Sequence, residues 1–403
     1  MPWAVRAAPL EAYGHLPTIE EVSISPDGGK LGAIWTNGDE RRVVIRNLAD
    51  GGTRVLGVGR AKIRSLDWAG PDHLLITAST TATVADVSAP RSEWWLGSDY
   101  NYATNKLRPL LNDTRNAMNV IAGPPAVRMI DGKPIIFVEG IQFVSNRGQD
   151  ALFSIDPETD RSTLVNQGFL RTNDWLVGLD GKPAAESEYD QKTGEWVLKV
   201  AHGIGWRTVV SLSAPNERPS MVGLGRDGVS ILVAEPQGEA TALREVSPLT
   251  GNWPEPFRVA PYAPPIHDPA THKLIGFQSL RGDEVVYEFL NPADAAAWAK
   301  VQRAYKGMKV SLVSWSDDRN RVVVLADSPT EGPTYALVDF KARRADPIGA
   351  LYENLQPADI ATVKPVRYKA KDGLEITGYL TLPNGRAAKA LPLVVLPHGG
   401  PAV

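Results

Sequence analysis

Seven aspartate-bearing turns, each set between two short apolar runs, recur along this chain and govern what it can fold into. In the first, "VSISPDGGKLGAIW", Val22 and Ile24 precede Ser25-Pro26-Asp27-Gly28, and Leu31, Ala33 and Trp35 follow it with the same period of two. Alternation on both sides of a Pro-Asp-Gly turn is the pattern of a β-hairpin. Comparable turns stand at Asp72, Asp131, Asp180, Asp227, Asp268 and Asp318, a mean spacing of about 48 residues that lies in the range of propeller repeats.

Most intervals hold a second pair of strand-like runs, as in "RRVVIRNLADGGTRVLG", "DALFSIDPETDRSTLVNQG" and "EWVLKVAHGIGWRTVVSL". Four strands per repeat make one propeller blade, whose sheet buries its faces only against neighbouring blades. The expected fold is therefore all-β, a seven-bladed β-propeller over residues 20–355 behind an N-terminal segment, 1–19. The second repeat, 57–111, is the least regular, and "SEWWLGSDYNYATNKLRPLL" reads as a long loop. "NPADAAAWAKVQRAY", residues 291–305, has Asn291 and Pro292 at N-cap and first-turn positions and predicts a helix between blades six and seven.

Residues 356–365 read as a linker, and from 366 to 403 the texture changes. "VRYKAKDGLEITGYLTLP" predicts a hairpin around Asp372-Gly373, and "ALPLVVLPHGG" is a continuous apolar run, the pattern of a strand buried on both faces of a parallel or mixed sheet. A second domain starts here, cut off after its first strands. Without later strands and covering helices, 366–403 is expected to pack poorly.

Composition narrows the function. At 403 residues and 43% hydrophobic the chain buries an ordinary core. A net charge of -3 without basic runs gives no footprint for nucleic acid or membrane surfaces. The absence of cysteine removes disulfides, thiolate metal sites and a cysteine nucleophile. No metal or cofactor is called for. No apolar run reaches the roughly 18 residues of a membrane span, and "MPWAVRAAPLEAYGHLP" lacks a signal-peptide core. The expectation is a cytoplasmic protein as written, periplasmic or secreted if an export signal precedes this start.

The segments "ISPDGGKLGAIW", "YKAKDGLEITGYLTLP" and above all "PLVVLPHGGP" resemble the prolyl oligopeptidase family of serine peptidases, in the acylaminoacyl-peptidase and dipeptidyl-peptidase branch. The likeness is weak over the blades and strong from Val366 to Pro401. It implies a propeller covering an α/β-hydrolase domain, with His398-Gly399-Gly400-Pro401 as the oxyanion loop after the third hydrolase strand. Backbone N–H groups on such a loop stabilise the tetrahedral oxyanion of acyl transfer. By the resemblance Gly400 is the donor, Gly399 its conformational partner, and His398 supports the turn without being the catalytic base.

The same resemblance implies a short peptide as substrate, cleaved through an acyl-enzyme, with the propeller restricting access. A Gly-x-Ser-x-Gly elbow, which would carry the nucleophile, is absent from the 403 residues. The Ser, Asp and His triad is thus expected in a C-terminal hydrolase segment, the missing partner, and this chain alone is expected to be inactive. The alternatives are a non-catalytic propeller acting as a binding or scaffold module and an esterase of the same architecture.

Other features read as structural. His73, His267 and His272 fall in or beside hairpin turns, where solvation explains them, and none has zinc-site spacing. Gly223, Gly225 and Gly228 spell a dinucleotide-binding pattern, but a strand follows where the chemistry needs a helix. Most of the 11 tryptophans suit inter-blade packing. Trp94 and Trp95, in the irregular second repeat with Tyr100 and Tyr102, are candidates for lining a cavity or domain interface.

Overall fold

Each of the seven turns joins the first and second strands of a blade, and the aspartate carboxylate is what holds many of them. Asp27, Asp180, Asp227 and Asp318 accept hydrogen bonds at 2.8–3.1 Å from the backbone N–H two residues on, at Gly29, Lys182, Val229 and Asn320. The left-handed residue of the turn is Gly28, Gly70, Gly181 and Gly228 in blades one, two, four and five and His272 and Arg319 in the last two, while blade three has two, Asp131 and Gly132.

The structure is a computed structural model describing residues 8–59, 61–83, 91–238, 240–261, 263–281, 284–328 and 331–397. Blade one contains β1 (Ile19–Ile24), β2 (Lys30–Asn37), β3 (Glu40–Asn47) and β4 (Thr53–Gly57). Blade two contains β5 (Lys62–Ala69), β6 (His73–Ala82), β7 (Ser92–Asn101) and β8 (Lys106–Pro109), and a short β9 (Ala117–Ile121) follows it. Blade three has β10 (Ala126–Ile130), β11 (Lys133–Val144), β12 (Arg147–Asp156) and β13 (Arg161–Gln167). Blade four has β14 (Thr172–Val177), β15 (Pro183–Asp190), β16 (Glu195–His202) and β17 (Gly205–Ser213).

Blade five has β18 (Ser220–Leu224), β19 (Ile231–Gln237), β20 (Ala240–Val246) and β21 (Arg258–Ala260). Blade six holds β22 (Pro265–His267), β23 (Leu274–Arg281) and β24 (Glu284–Phe289), and blade seven β25 (Lys309–Trp315), β26 (Arg321–Ser328), β27 (Gly332–Asp339) and β28 (Arg344–Ala350). A hairpin of β29 (Val363–Lys369) and β30 (Glu375–Thr381) follows. The described helices of more than one turn are α1 (Leu10–Gly14) and α2 (Pro292–Ala304).

All strand pairs among the described residues are antiparallel, most of them in sequence order, so the core lies between blades. Seven apolar clusters fill the seven seams in order, from Ile34, Val43 and Ile45 against Ile63 and Leu74 at blades one and two to Trp298 and Trp315 beside Tyr287 and Phe289 at blades six and seven. The last cluster closes the circle, with Ile19, Val22 and Ile24 of blade one packed against Val323, Tyr335 and Leu337 of blade seven. Hydrogen bonds reinforce the closure, Ile24 N to Ser314 Oγ at 3.2 Å, Arg321 Nη1 to Gly28 O at 2.7 Å and Tyr335 Oη to Glu20 O at 3.0 Å.

Three sequence expectations are corrected. Residues 92–109 are not a long loop but the paired β7 and β8. Blades two and three also share one continuous sheet, because Ile121 of β9 pairs with both Trp95 of β7 and Gly140 of β11. Glycine permits this close approach, since a Cβ on Gly97 would come within 2.7 Å of Leu110 Cδ1 and one on Gly140 within 2.8 Å of Leu111 Cδ1. Among the described residues blade six has three strands instead of four, and α2 supplies the packing, with Trp298 at 4.7 Å between ring centroids from Tyr287. The helix itself lies where expected, and Asn291 Oδ1 accepts from Ala293 N at 2.9 Å.

The third correction concerns "LPLVVLP". It pairs with no strand among the described residues, and Leu393, Val394, Val395 and Leu396 are 70–87% exposed. An apolar run becomes a buried strand only where neighbours satisfy its ladder on both sides. The hairpin β29–β30 forms as expected, beginning at Val363 inside the expected linker.

The seam architecture sets where substitutions hurt. Phe153→Ala, at the fully buried junction of blades two and three, is expected to cost about 3–5 kcal/mol. Leu396→Ala should stay within about 0.5 kcal/mol. Urea denaturation of the two variants distinguishes them, and equal losses would contradict the seam as the source of stability.

Candidate functional site

Antiparallel blades alternate their turns between two ends, so the connections that leave four-stranded blades lie at one end, together with the chain's path into β1 and out of β28, joined by Thr18 N to Leu351 O at 2.7 Å; blade six, with three described strands, leaves at the other end, and the segment that contains α2 returns the chain to β25. The linker leaves from the end that holds Thr18 and Leu351. Here a cavity of about 550 Å³ opens between blades three and four, lined by Glu139, Asp150, Arg171, Tyr189, Asp190 and Arg218 among others.

Its floor is acidic. Glu139 sits mid-strand in β11, in the apolar context "IIFVEGIQFV", and its Oε1 accepts from Trp175 N at 2.9 Å. Burial and the neighbouring Asp174 carboxylate raise its pKa to about 9. Burial likewise raises Asp174 and Asp150. A buried pair of this kind holds one proton between two carboxyls at neutral pH. That proton lies in the hydrogen bond from Glu139 to Asp174.

The rim is basic. Arg171 bonds Asp190 at 2.9 Å, whereas the Arg218 guanidinium lies over the Tyr189 ring, 4.9 Å from its centroid. The Tyr189 hydroxyl is fixed by donating to Ala214 O at 3.2 Å. Asp190 accepts from Lys192 N at 2.9 Å, a bond that keeps it ionised with its pKa below the ordinary carboxylate value. Such a site can orient a polar, peptide-like group by donated hydrogen bonds. No described group in it is a nucleophile poised beside a base.

The sequence-derived candidates stand elsewhere. His398, Gly399, Gly400 and Pro401 lie outside the described residues. Trp94 and Trp95 are half-buried on β7. Trp94 Nε1 donates to Ala82 O at 3.1 Å, and Trp95 packs into the core of blades two and three. Tyr100 is a core residue and Tyr102 stacks beneath Arg54 at 4.0 Å. Neither tryptophan lines the cavity between blades three and four.

The histidines also differ from expectation. His73 is not solvated but 2% exposed, enclosed by Asp99 and Glu158, because the β12–β13 turn of the next blade folds over it. His267 is half-buried, its Nε2 3.1 Å from Leu224 O, and burial pushes His272 down to about 4. A strand, β19, follows Gly228, as read from the sequence. No cluster of three or more His, Asp or Glu among the described residues is arranged to hold a metal ion. No described helix is long and apolar enough to cross a membrane.

Glu139 makes a pH prediction. Its folded pKa is raised above its ordinary 4.5, so the folded chain binds more protons than the unfolded chain between that value and about 9. The stability it contributes is complete below the ordinary value and is lost as pH rises through about 9. Glu139→Gln should flatten the decline of the urea midpoint with rising pH over this window, and a variant that declines as steeply as the parent would refute the assignment.

No protein-family model and no curated protein matches the sequence. Solved structures do share the fold. A prolyl endopeptidase structure matches with a TM-score of 0.54 and 12% identity, over 92% of this chain and 55% of that one. Puromycin hydrolase matches with a TM-score of 0.52 and 16% identity, over 90% and 58%. Pyrococcus horikoshii acylaminoacyl peptidase matches with a TM-score of 0.51 and 11% identity, over 92% and 58%. This chain therefore spans less than two thirds of their length, and its fold is that of the propeller found in enzymes of the prolyl oligopeptidase family.

Proposed function

We propose that this chain is the propeller part of a serine peptidase that hydrolyses short peptides through an acyl-enzyme, with the propeller limiting which substrates reach the chemistry. The observation that carries the reading is the shared fold with peptidase structures, continued by a linker and a hairpin whose sequence runs into His398-Gly399-Gly400-Pro401. The cavity at the linker end supports it, because a substrate held between the two domains would meet Arg218 on its rim. A guanidinium there donates to peptide carbonyls, and the donated bonds align the substrate without taking part in bond cleavage.

The hydrolytic step itself belongs to a Ser, His and Asp constellation that this sequence does not contain. His398-Gly399-Gly400-Pro401 would contribute backbone N–H donors to the oxyanion once that constellation stands beside it. The chain alone would then bind peptides weakly and turn over none.

A fluorophosphonate probe, which labels activated serines, tests this directly. The 403-residue chain is expected to remain unlabelled. The gene read past Val403 is expected to encode Gly-x-Ser-x-Gly and then Asp and His, and the longer product to be labelled and to cleave acylaminoacyl or aminoacyl anilides as well as the intrinsically more reactive matched esters. Labelling of the 403-residue chain, or a stop codon directly after Val403, would overturn the reading, the latter in favour of a binding module. Cleavage of the esters with no turnover of the anilides would make the protein an esterase of the same architecture.

A further inference from the structure

The β12–β13 turn of blade three, residues 157–160, folds over blade two at the end of the blades away from the linker, and two charged ties hold it there. One joins Arg108 of β8 to Asp160. The other joins the buried His73 of β6 to Glu158, with Nε2 3.2 Å from Glu158 Oε1. Among the described residues the Glu158 carboxylate has no other donor.

The two ties respond differently to pH. A guanidinium stays charged throughout, so the Arg108 and Asp160 pair is permanent and can serve as a hinge. An imidazole does not. His73 Nδ1 lies 2.7 Å from Asp99 Oδ2 and, facing a carboxylate, carries its proton in either state. The state of Nε2 therefore decides what Glu158 meets. Protonated, Nε2 donates to Glu158 Oε1. Neutral, it accepts from Asn101 Nδ2 at 3.3 Å, because Asn101 Oδ1 already accepts from Thr104 N at 2.9 Å and its amide is oriented to donate. A lone pair then faces the Glu158 carboxylate with no proton between them, and the contact turns repulsive.

We propose that the 157–160 turn is a pH-operated latch on blade two, pinned through Glu158 while His73 is protonated and released at that end, about the hinge of Arg108 and Asp160, when His73 is neutral.

The charges around the ring set the direction. Burial opposes the imidazolium, but Asp99 of β7 and Glu158 of the turn favour it more strongly, and the His73 pKa is held above its ordinary value. Burial also raises the Asp99 carboxyl, and His73 and Arg108 act against that. On the turn before His73, Asp72 is engaged by Lys30 of blade one at 3.0 Å. The tie is therefore complete below the ordinary imidazole value and is lost as pH rises through the raised one. Release would uncover one side of a cavity of about 450 Å³ that Pro157 and Asp160 line together with Asp99 and Leu110.

A spin label tests this. The chain contains no cysteine, so Thr159→Cys, on the exposed turn, takes a nitroxide at a single position. Its electron-spin resonance spectrum is expected to pass from an immobilised to a mobile component as pH rises from about 5.5 to about 8.5, a range that brackets the imidazole titration. The midpoint should coincide with that of the His73 ring protons followed by NMR. Adding Glu158→Gln, an exposed and structurally mild change, should make the label's mobility independent of pH, since a glutamine amide accepts from the protonated ring and donates to the neutral one. The same change should lower the His73 midpoint. A parent spectrum that does not change with pH, a step whose midpoint departs from that of His73, or a step retained in the Glu158→Gln variant would overturn the proposal.

Discussion

The contact on which the whole molecule depends is the apolar seam between neighbouring blades. A four-stranded antiparallel sheet alone leaves both faces wet, and each blade here becomes stable only by pressing Val, Ile, Leu and aromatic side chains into the next. The seam of blades seven and one is the decisive one. Every strand of blade seven follows in sequence order from β25 to β28, and blade one runs from β1 to β4, so no strand is exchanged between the first and last blades. Ile19, Val22 and Ile24 against Val323, Tyr335 and Leu337 must close the ring by packing. A few hydrogen bonds such as Tyr335 Oη to Glu20 O then fix its register.

This dependence explains what could be read from the residues alone. The turns were legible because their physics is local: an aspartate accepting from the N–H two residues on, beside a residue in the left-handed region, needs no distant partner. The helix was legible for the same reason, through Asn291 and Pro292. Alternating strands around such turns imply blades, and their spacing implies how many. Where a second partner was required, the reading failed. "SEWWLGSDYN" hid a strand because its ladder is with β6, from Ala82 opposite Ser92 to His73 opposite Asn101, a pairing that no short turn announces; "LPLVVLP" carried a strand-like composition without a ladder to join.

Polar sites were harder still. Glu139 and Asp174 meet only because blades three and four are neighbours, and nothing about a glutamate in "IIFVEGIQFV" identifies its partner, though a lone acid in so apolar a strand signals that one exists. His73 and Glu158 are 85 residues apart. A histidine beside a turn is ordinarily solvated, and only the fold of the next blade over it makes it buried.

The distribution of these polar groups follows from the seams themselves. The blade three and four cluster has four buried members, Phe137, Leu152, Trp175 and Val177, whereas the clusters on either side each have ten. A seam with less apolar filling leaves room for water-facing groups, and the cavity with Glu139 and Arg218 opens at this one. At blades two and three the apolar filling is ample, but β9 and the 110–114 segment are wedged against Gly97 and Gly140, and a cavity lined by Asp99, Arg108, Asp113 and Asp160 lies beside that wedge. In both places an interruption of regular blade stacking creates the space in which charged side chains are held near a partner from the next blade. The buried charge of this propeller is therefore set by where its seams are imperfect, and the well-packed seams supply the rigidity that keeps those groups in position.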